Sequence, residues 1–179
     1  MKMRKRILVS LLAMSFVVLG GAGTAAYASP GSGVIDGNGD GPGDDWAGEG
    51  VLCDTNVEPT GCGYRNSNAT GLWQAYLTAN GYLSPSQIDC YFGTTTRNAT
   101  IEYQKDHSSL DADGVVGPAT FGVADNALVR SGAHDIILDG SVRTVVFGRN
   151  SEANGFGYSF PGGLVSLTSA TYATRGSAC

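Results

Sequence analysis

Two stretches of this chain read almost alike: residues 89–96, Asp-Cys-Tyr-Phe-Gly-Thr-Thr-Thr, and residues 113–120, Asp-Gly-Val-Val-Gly-Pro-Ala-Thr. Each has an aspartate, an apolar residue three positions later, a glycine at the fourth position and a threonine at the seventh. Glycine permits a tight turn, and an acid just before a helix complements its positive end. The sequence therefore contains an internal repeat of a loop-to-helix unit.

Helical patterns surround this repeat. Apolar residues on one face predict a first helix that Thr70 caps, that runs to about Asn80 and that ends at Gly81. Thr94 can cap a second helix, and Pro118 lies near the start of a third. The middle of the chain is thus predicted to hold three short helices.

These motifs together resemble the type 1 peptidoglycan-binding domain, a small three-helix module that holds secreted proteins to the bacterial cell wall. The residues that match its motifs, in the order of the family, are Gln74, Gly81, Asp89, Phe92, Gly93, Gln104, Asp113, Gly114, Gly117 and Pro118. Trp73 and Tyr103 stand where the family has leucine and phenylalanine, and Cys90 stands where it has glycine. The resemblance implies a three-helix fold that binds peptidoglycan, with a stapled loop at Cys90.

The N-terminal part predicts export. Residues 1–28 have a basic start, an apolar run too short to span a bilayer comfortably, and a final Ala-Tyr-Ala typical of signal-peptide cleavage. Residues 29–50, rich in glycine and aspartate, predict a disordered linker. Residues 36–41 within it match the start of a calcium loop, but Ala47 stands where a bidentate glutamate is needed, so no metal site is expected.

The net charge excludes two classes of partner. Of the 11 basic residues, four lie in the predicted signal peptide, so 7 face all 16 acidic residues in the mature chain, a net charge of −9. A basic footprint for nucleic acid is therefore absent, and so is a polybasic face for an anionic membrane. Peptidoglycan is the expected partner, with no nucleic acid, no membrane after signal cleavage and no cofactor.

The four cysteines predict two disulfides, because an exported chain meets an oxidising compartment. The return of the chain between the first two helices favours Cys62–Cys90, which leaves Cys53–Cys179. The rival pairing, Cys53–Cys62 with Cys90–Cys179, stays open because local pairing is easy. No Cys-x-x-Cys pair suggests a metal site.

The C-terminal part predicts a small antiparallel β module. Residues 136–138 and 142–147 flank Asp139-Gly140, a hairpin turn signal, and three or four strands are expected. A segment of this size cannot bury a generous core alone, so it should pack on the helices or be tied to them covalently. The predicted fold class is α+β, with a peptidoglycan-binding-like domain at 51–128 and the β module at 129–179.

No catalytic constellation stands out. One histidine, His107, lies within the helical region, and only His134 lies outside it, too few for the zinc sites of wall amidases. Asp135, Asp139 and Glu152 fall near predicted turns, which indicates surface acids. A Gly-x-Ser-x-Gly nucleophile is absent from the sequence. We therefore expect a chain that binds and does not catalyse.

The candidate ligand-binding residues gather around the start of the second helix: Tyr82, Tyr91, Thr94, Thr96 and Arg97. Aromatic faces can contact sugar rings, a helix N-terminus attracts carboxylates, and Arg97 can grip a carboxylate bidentately. Tyr82 and Phe92 also fit a core role, and Gln104 fits a role in satisfying the backbone.

Two functions of different classes remain open at this stage. The first is a secreted, non-catalytic wall-binding protein whose β module is an accessory that a protein partner could contact. The second is an exported inhibitor or toxin whose helical domain anchors it to the wall and whose β module is the effector.

Overall fold

The computed structural model describes residues 46, 50–57, 63–131, 135–149, 156–159 and 166–167. Several predicted features lie outside these residues: the signal peptide, most of the linker with its 36–41 motif, Cys62, Cys179, His134 and Glu152.

Within the described residues, three α-helices are followed by an antiparallel sheet. The helices are α1 Asn68–Ala79, α2 Thr94–Asp106 and α3 Pro118–Asp125, with a short 3₁₀ turn at Pro85–Gln87. The strands are β1 Leu128–Ser131, β2 Asp135–Asp139, β3 Thr144–Arg149, β4 Phe156–Ser159 and β5 Ser166–Leu167. They pair in chain order as a meander. The α+β prediction is confirmed.

The sheet has five strands among the described residues, more than the three or four expected. The first strand is the one that hydrophobic alternation missed, because three of its four residues are exposed. Its register is set by Leu128, which lies opposite Leu138 and points to the core. A short edge strand of this kind carries little sequence signal of its own.

The predicted caps of the first two helices are wrong by a few residues. Ser67 caps α1, because its hydroxyl accepts a hydrogen bond from the Thr70 N–H at 3.2 Å. The Thr70 hydroxyl instead donates to the Tyr64 carbonyl at 3.0 Å. Gly93 is the N-cap of α2, which makes Thr94 the first helical residue.

The glycine and proline signals at the helix ends are accurate. Gly81 has a φ of +86°, the left-handed conformation that ends α1. The N–H of the next residue, Tyr82, donates to the Leu77 carbonyl at 2.9 Å, which satisfies an orphan carbonyl of the last turn. Pro118 is the first residue of α3.

Helix α1 is buried on all sides, so the expected one-sided stripe is wrong. All twelve of its residues are buried. On one side Trp73 packs edge-on against Tyr103 of α2 at 5.4 Å between ring centroids, and against Phe121 of α3 at 5.7 Å. On the other side the sheet contributes Ile136, Leu138, Val145, Phe147 and Tyr158 to the same core. A helix buried in this way needs apolar or internally satisfied residues all round.

Trp46 belongs to this core although the sequence places it in the predicted linker. It is fully buried, and its ring lies 5.7 Å from Tyr76, 6.0 Å from Phe121 and 4.8 Å from Phe147. Its backbone N–H donates to the buried Asp125 carboxylate at 2.8 Å. The end of the linker, the helices and the sheet therefore share one core.

The turn between β2 and β3 covers the C-terminus of α1. The N–H groups of Val142 and Arg143 both donate to the Ala79 carbonyl, at 3.0 and 3.2 Å. Gly140 lies so close that a Cβ there would be 2.6 Å from the Ala79 carbonyl carbon. The sheet is thus joined to the helices by backbone contacts as well as by the core.

Cys53 and Cys90 are fully buried, and both are disulfide-bonded. Their connectivity stays a prediction, because the other two cysteines lie outside the described residues. In the described part of the chain, no helix has the length and apolarity needed to cross a bilayer.

Candidate functional site

The first repeated loop, residues 89–93 (loop A), is organised by the side chain of Gln74 from α1. Its amide nitrogen donates to the Asp89 carboxylate and to the Thr96 hydroxyl, both at 2.8 Å. It also lies 3.2 Å from the Tyr91 carbonyl. Its amide oxygen accepts from the N–H groups of Asp89 and Cys90, at 3.0 and 2.9 Å. One buried glutamine therefore bonds to the side chain or backbone of four residues in and next to the turn.

The second repeated loop, residues 113–117 (loop B), has the same arrangement around Gln104 from α2. The Gln104 amide nitrogen donates to the Asp113 carboxylate at 3.0 Å, the Val115 carbonyl at 2.9 Å and the Thr120 hydroxyl at 3.3 Å. Its amide oxygen accepts from the Gly114 N–H at 2.8 Å. The sequence repeat is therefore a structural repeat, and each loop is clamped by a glutamine of the preceding helix.

Both loops have a left-handed residue at their second position, with φ of +56° at Cys90 and +77° at Gly114. At Gly114 a Cβ would lie 2.7 Å from Cγ of Arg97, so only glycine fits beneath that side chain. The Arg97 Nη2 also donates to the Asp113 carbonyl at 3.1 Å. Arg97 thus lies across loop B.

The segment before α1 holds both loops from the other side. Ser67 N–H donates to the Cys90 carbonyl at 3.1 Å, and Phe92 N–H donates to the Arg65 carbonyl at 2.6 Å. Leu52 and Val116 exchange two backbone hydrogen bonds, at 3.0 and 2.9 Å. The loops are therefore fixed in place before any ligand arrives.

The structure brings together three of the five candidate ligand-binding residues: Tyr91, Thr94 and Arg97. Tyr91 is 38% exposed, Thr94 is exposed and Arg97 is half-buried. A Cβ on Gly93 would lie 3.0 Å from Cε1 of Tyr91, so this glycine leaves room for the ring beside the start of α2. We call Tyr91, Thr94 and Arg97 the loop–helix surface.

Thr96 and Tyr82 do not join this surface. Thr96 is 2% exposed, and its hydroxyl is bound within loop A by Gln74, which gives it a structural role. Tyr82 lies at the other end of α2, where its hydroxyl donates to the Asp106 carboxylate at 2.7 Å. At a rise of about 1.5 Å per residue, that end is roughly 18 Å from Thr94.

Arg97 gives the loop–helix surface one positive charge, although the exposed carboxylates of Asp89 and Asp113 lie in the two adjoining loops. The first turn of α2 contains no acidic residue, and no side chain caps it, so its first N–H groups keep their partial positive charge. Arg97 has no carboxylate within salt-bridge distance among the described residues, where the ion pairs of α2 and its surroundings are Arg65–Asp54 and Lys105–Glu102. This surface is suited to a carboxylate.

Residues 66–123 match the family model described as "Putative peptidoglycan binding domain". This segment is similar to that family. The match covers α1, both loops, both clamping glutamines and most of α3, and it confirms the family resemblance drawn from the motifs. No curated protein and no solved structure matches the chain.

Two residues next to the loop–helix surface were not predicted from the sequence: Arg65 and Asp54, which precede the matched residues 66–123. The guanidinium of Arg65 lies 4.3 Å from the centroid of the Tyr91 ring, and its Nη2 is 3.3 Å from the Asp54 carboxylate. No motif links these positions, because the contact arises from the pairing of residue 66 with residue 91. Only the folded chain reveals it.

Four tyrosines outside the loop–helix surface have raised pKa values. Burial raises the pKa of Tyr103, Tyr158 and Tyr76, and for Tyr82 the Asp106 carboxylate adds to the effect of burial. These phenols stay protonated at neutral pH. No group of three potential metal ligands is found in the described part of the chain.

Proposed function

We propose that this chain is a secreted, non-catalytic protein that binds peptidoglycan through the loop–helix surface. The observation that carries the proposal is the family match to residues 66–123, in which both glutamine-clamped loops are complete. The signal-peptide pattern of residues 1–28 supports export, and with it a location outside the cell or on the wall.

The chemistry of the surface fits a polymer of sugars and short peptides. The exposed part of the Tyr91 ring can lie against a sugar ring or an alanyl methyl group. Arg97 and the start of α2 can hold a stem-peptide carboxylate. Because the mature chain and the polymer are both acidic, long-range repulsion opposes binding, but salt screens it beyond about 8–10 Å. Short-range contacts therefore have to provide the affinity.

The non-catalytic part of the proposal rests on the sequence. Two histidines, with no Ser-x-Gly-Cys motif in the sequence, do not supply the sets of residues that wall amidases or cysteine transpeptidases require. Release of soluble fragments from peptidoglycan by the purified chain would contradict it.

The sheet bears on the inhibitor or toxin alternative. It shares its core with the helices, and Phe147 of β3 packs directly on Trp46. A β module that acts as a separate effector would need its own core, so we favour the wall-binding function. Growth inhibition of competing bacteria by the mature chain, with no binding to purified walls, would reverse this preference.

Arg97→Met tests the proposal in the mature chain, residues 29–179. Methionine keeps an apolar stem over Gly114 and removes the guanidinium, so the domain should stay folded. We expect affinity for insoluble peptidoglycan, measured by pelleting, to fall by about three- to tenfold, the effect of one charge-assisted contact.

Lys105→Met is the matched control, because it removes one positive charge from the same helix at a residue that is 56% exposed. Its binding should equal that of the wild type. Equal loss in both variants would point to net charge instead of Arg97, and a folded wild-type chain that does not pellet would end the wall-binding proposal.

A further inference from the structure

Asp54, Arg65 and Tyr91 form a connected set beside loop A. The Asp54 carboxylate is almost fully buried and binds the Arg65 guanidinium at 3.3 Å. The guanidinium in turn lies over the Tyr91 ring, 4.3 Å from its centroid. Asp54 and Arg65 both precede the matched residues 66–123, whereas Tyr91 lies within them.

The backbone at this set is strained. Tyr64 and Cys90, which immediately precede Arg65 and Tyr91, have φ values of +59° and +56°. They are the non-glycine residues with positive φ in the described part of the chain. A bulky residue rarely adopts this conformation, and strain of this kind clusters at ligand-binding positions. The strain at Tyr64 and Cys90 therefore singles out Arg65 and Tyr91, the residues that follow them, as candidate ligand contacts.

Within this set one polar atom lacks a hydrogen-bond partner and one aromatic ring stays partly exposed. The Nε atom of Arg65 is buried and has no hydrogen-bond partner among the described residues. The residue Tyr91 remains 38% exposed even though Arg65 covers part of its ring. The exposed part of the Tyr91 ring is open to a ligand.

We propose that the stacked Arg65–Tyr91 pair, held by Asp54, is a separate subsite for a neutral sugar ring. This inference rests on the proposed wall-binding function and deepens it. The Asp54 carboxylate neutralises Arg65, so the pair presents a flat surface with little net charge. Within the described residues Arg97 has no such carboxylate partner, and it is the group for an anion. The two parts of the surface therefore bind different portions of a glycopeptide: the glycan lies at Tyr91 and the stem-peptide carboxylate at Arg97.

The chemistry of a pyranose fits the stacked pair. Its axial C–H groups carry a small positive charge and lie well against the negative face of an aromatic ring. Asp54 fixes the guanidinium, which fixes the Tyr91 ring, so little side-chain freedom is lost when the sugar binds. The Tyr91 hydroxyl can exchange hydrogen bonds with sugar hydroxyl groups at the edge of the ring.

Two probes from one digestion test this division. The first is glycan stripped of stem peptides by an amidase, with the carboxylates that amide cleavage leaves on the glycan converted to amides so that the strands are neutral. The second is the stem peptides so released. In the mature chain, Tyr91→Ala should weaken binding of the stripped glycan by about five- to tenfold and leave stem-peptide binding within about twofold. Arg97→Met should do the reverse. A higher salt concentration should weaken binding of the stem peptides and leave binding of the stripped glycan nearly unchanged.

Two conservative variants separate stacking from simple loss of structure. Tyr91→Phe keeps the ring and should retain most of the glycan affinity. Arg65→Lys keeps a cation for Asp54 but removes the planar group over the ring, so it should weaken glycan binding while the fold, followed by circular dichroism, is unchanged.

The outcomes distinguish the subsite from the wider function. Binding of intact peptidoglycan without binding of stripped glycan overturns the subsite and leaves the wall-binding proposal standing. So does glycan affinity that is unchanged in Tyr91→Ala. A wild-type chain that binds neither intact peptidoglycan nor its fragments overturns both.

Discussion

At the scale of single residues, Gln74 and Gln104 each replace what would otherwise be several separate contacts. Each is at most 1% exposed and bonds to backbone groups on both sides of its loop. A buried amide is suited to this place because it offers donors and acceptors at once. The ligand-facing residues of loop A are held by a side chain that no ligand touches.

Gln104→Glu should unfold the domain more easily although the two side chains have the same shape. The carboxylate cannot donate to the Val115 carbonyl, and it would face the Asp113 carboxylate where the amide nitrogen now lies at 3.0 Å. We expect the free energy of unfolding, measured in urea, to fall by about 2–4 kcal/mol.

Gln87→Glu is the control for this substitution. Gln87 uses its amide oxygen to accept two hydrogen bonds from Ser84, and a carboxylate can accept both. Its free energy of unfolding should change by less than about 0.5 kcal/mol. A Gln104→Glu variant as stable as this control would show that the loop does not depend on the amide donor.

At the scale of elements, the β2–β3 turn forms hydrogen bonds with the end of α1. Two N–H groups of the turn share the Ala79 carbonyl, and the Ser141 hydroxyl donates to the Asn80 carbonyl at 2.7 Å. The turn therefore satisfies carbonyls that the helix end leaves unpaired. Gly140 allows this approach because it has no side chain.

Gly140→Ala should destabilise the protein, whereas Gly122→Ala should stabilise it. A Cβ at 140 would meet Ala79 at 2.6 Å, and forced overpacking of this kind costs about 1–3 kcal/mol. Gly122 lies within α3 with nothing within 4 Å of an added Cβ, so alanine there should add about 0.5–1 kcal/mol. Thermal unfolding of both variants measures the difference, and the same sign in both would contradict the contact.

At the scale of the whole molecule, one core joins the linker end, the helices and the sheet, and it contains Tyr76, Tyr103 and Tyr158. Burial raises the pKa of each of them above the ordinary value near 10. In the unfolded chain these phenols ionise near pH 10, while in the folded chain they remain neutral. The stability that this difference supplies is fully present below about pH 9 and is lost as the pH rises further.

We therefore expect the mature chain to unfold cooperatively in alkali. Each buried tyrosine that ionises only on unfolding should lower the free energy of unfolding by about 1.4 kcal/mol per pH unit above 10. Tyr158→Phe should make the loss shallower. The tyrosinate absorbance that this variant removes should appear in the wild type together with the loss of near-ultraviolet circular dichroism. Its appearance before any loss of that tertiary signal would contradict the shared core.

Much of the helical part could be predicted because its signals are local. Gly81, Pro118 and the repeated loops carry their conformational reasons in their own residue types. The burial of α1 could not be predicted from periodicity, since polar residues such as Thr78 and Gln74 are typical of a solvated face. The burial of Trp46 was not predicted, because the glycine-rich composition of the segment around it indicates disorder and a single tryptophan changes that composition little. The Arg65–Tyr91 contact depends on the long-range pairing of residues 66 and 91, which no local sequence pattern predicts.

The placement of Trp46 also gives the molecule an optical property. The chain has two tryptophans, and both are fully buried. Trp73 donates its indole N–H to the Thr100 hydroxyl at 2.9 Å, while that of Trp46 has no partner among the described residues. Their fluorescence spectra should therefore differ. In a Trp73→Phe chain the emission wavelength of Trp46 would report when the end of the linker leaves the core. In a Trp46→Phe chain the emission wavelength of Trp73 would report when α1 unfolds. Neither measurement needs an attached dye.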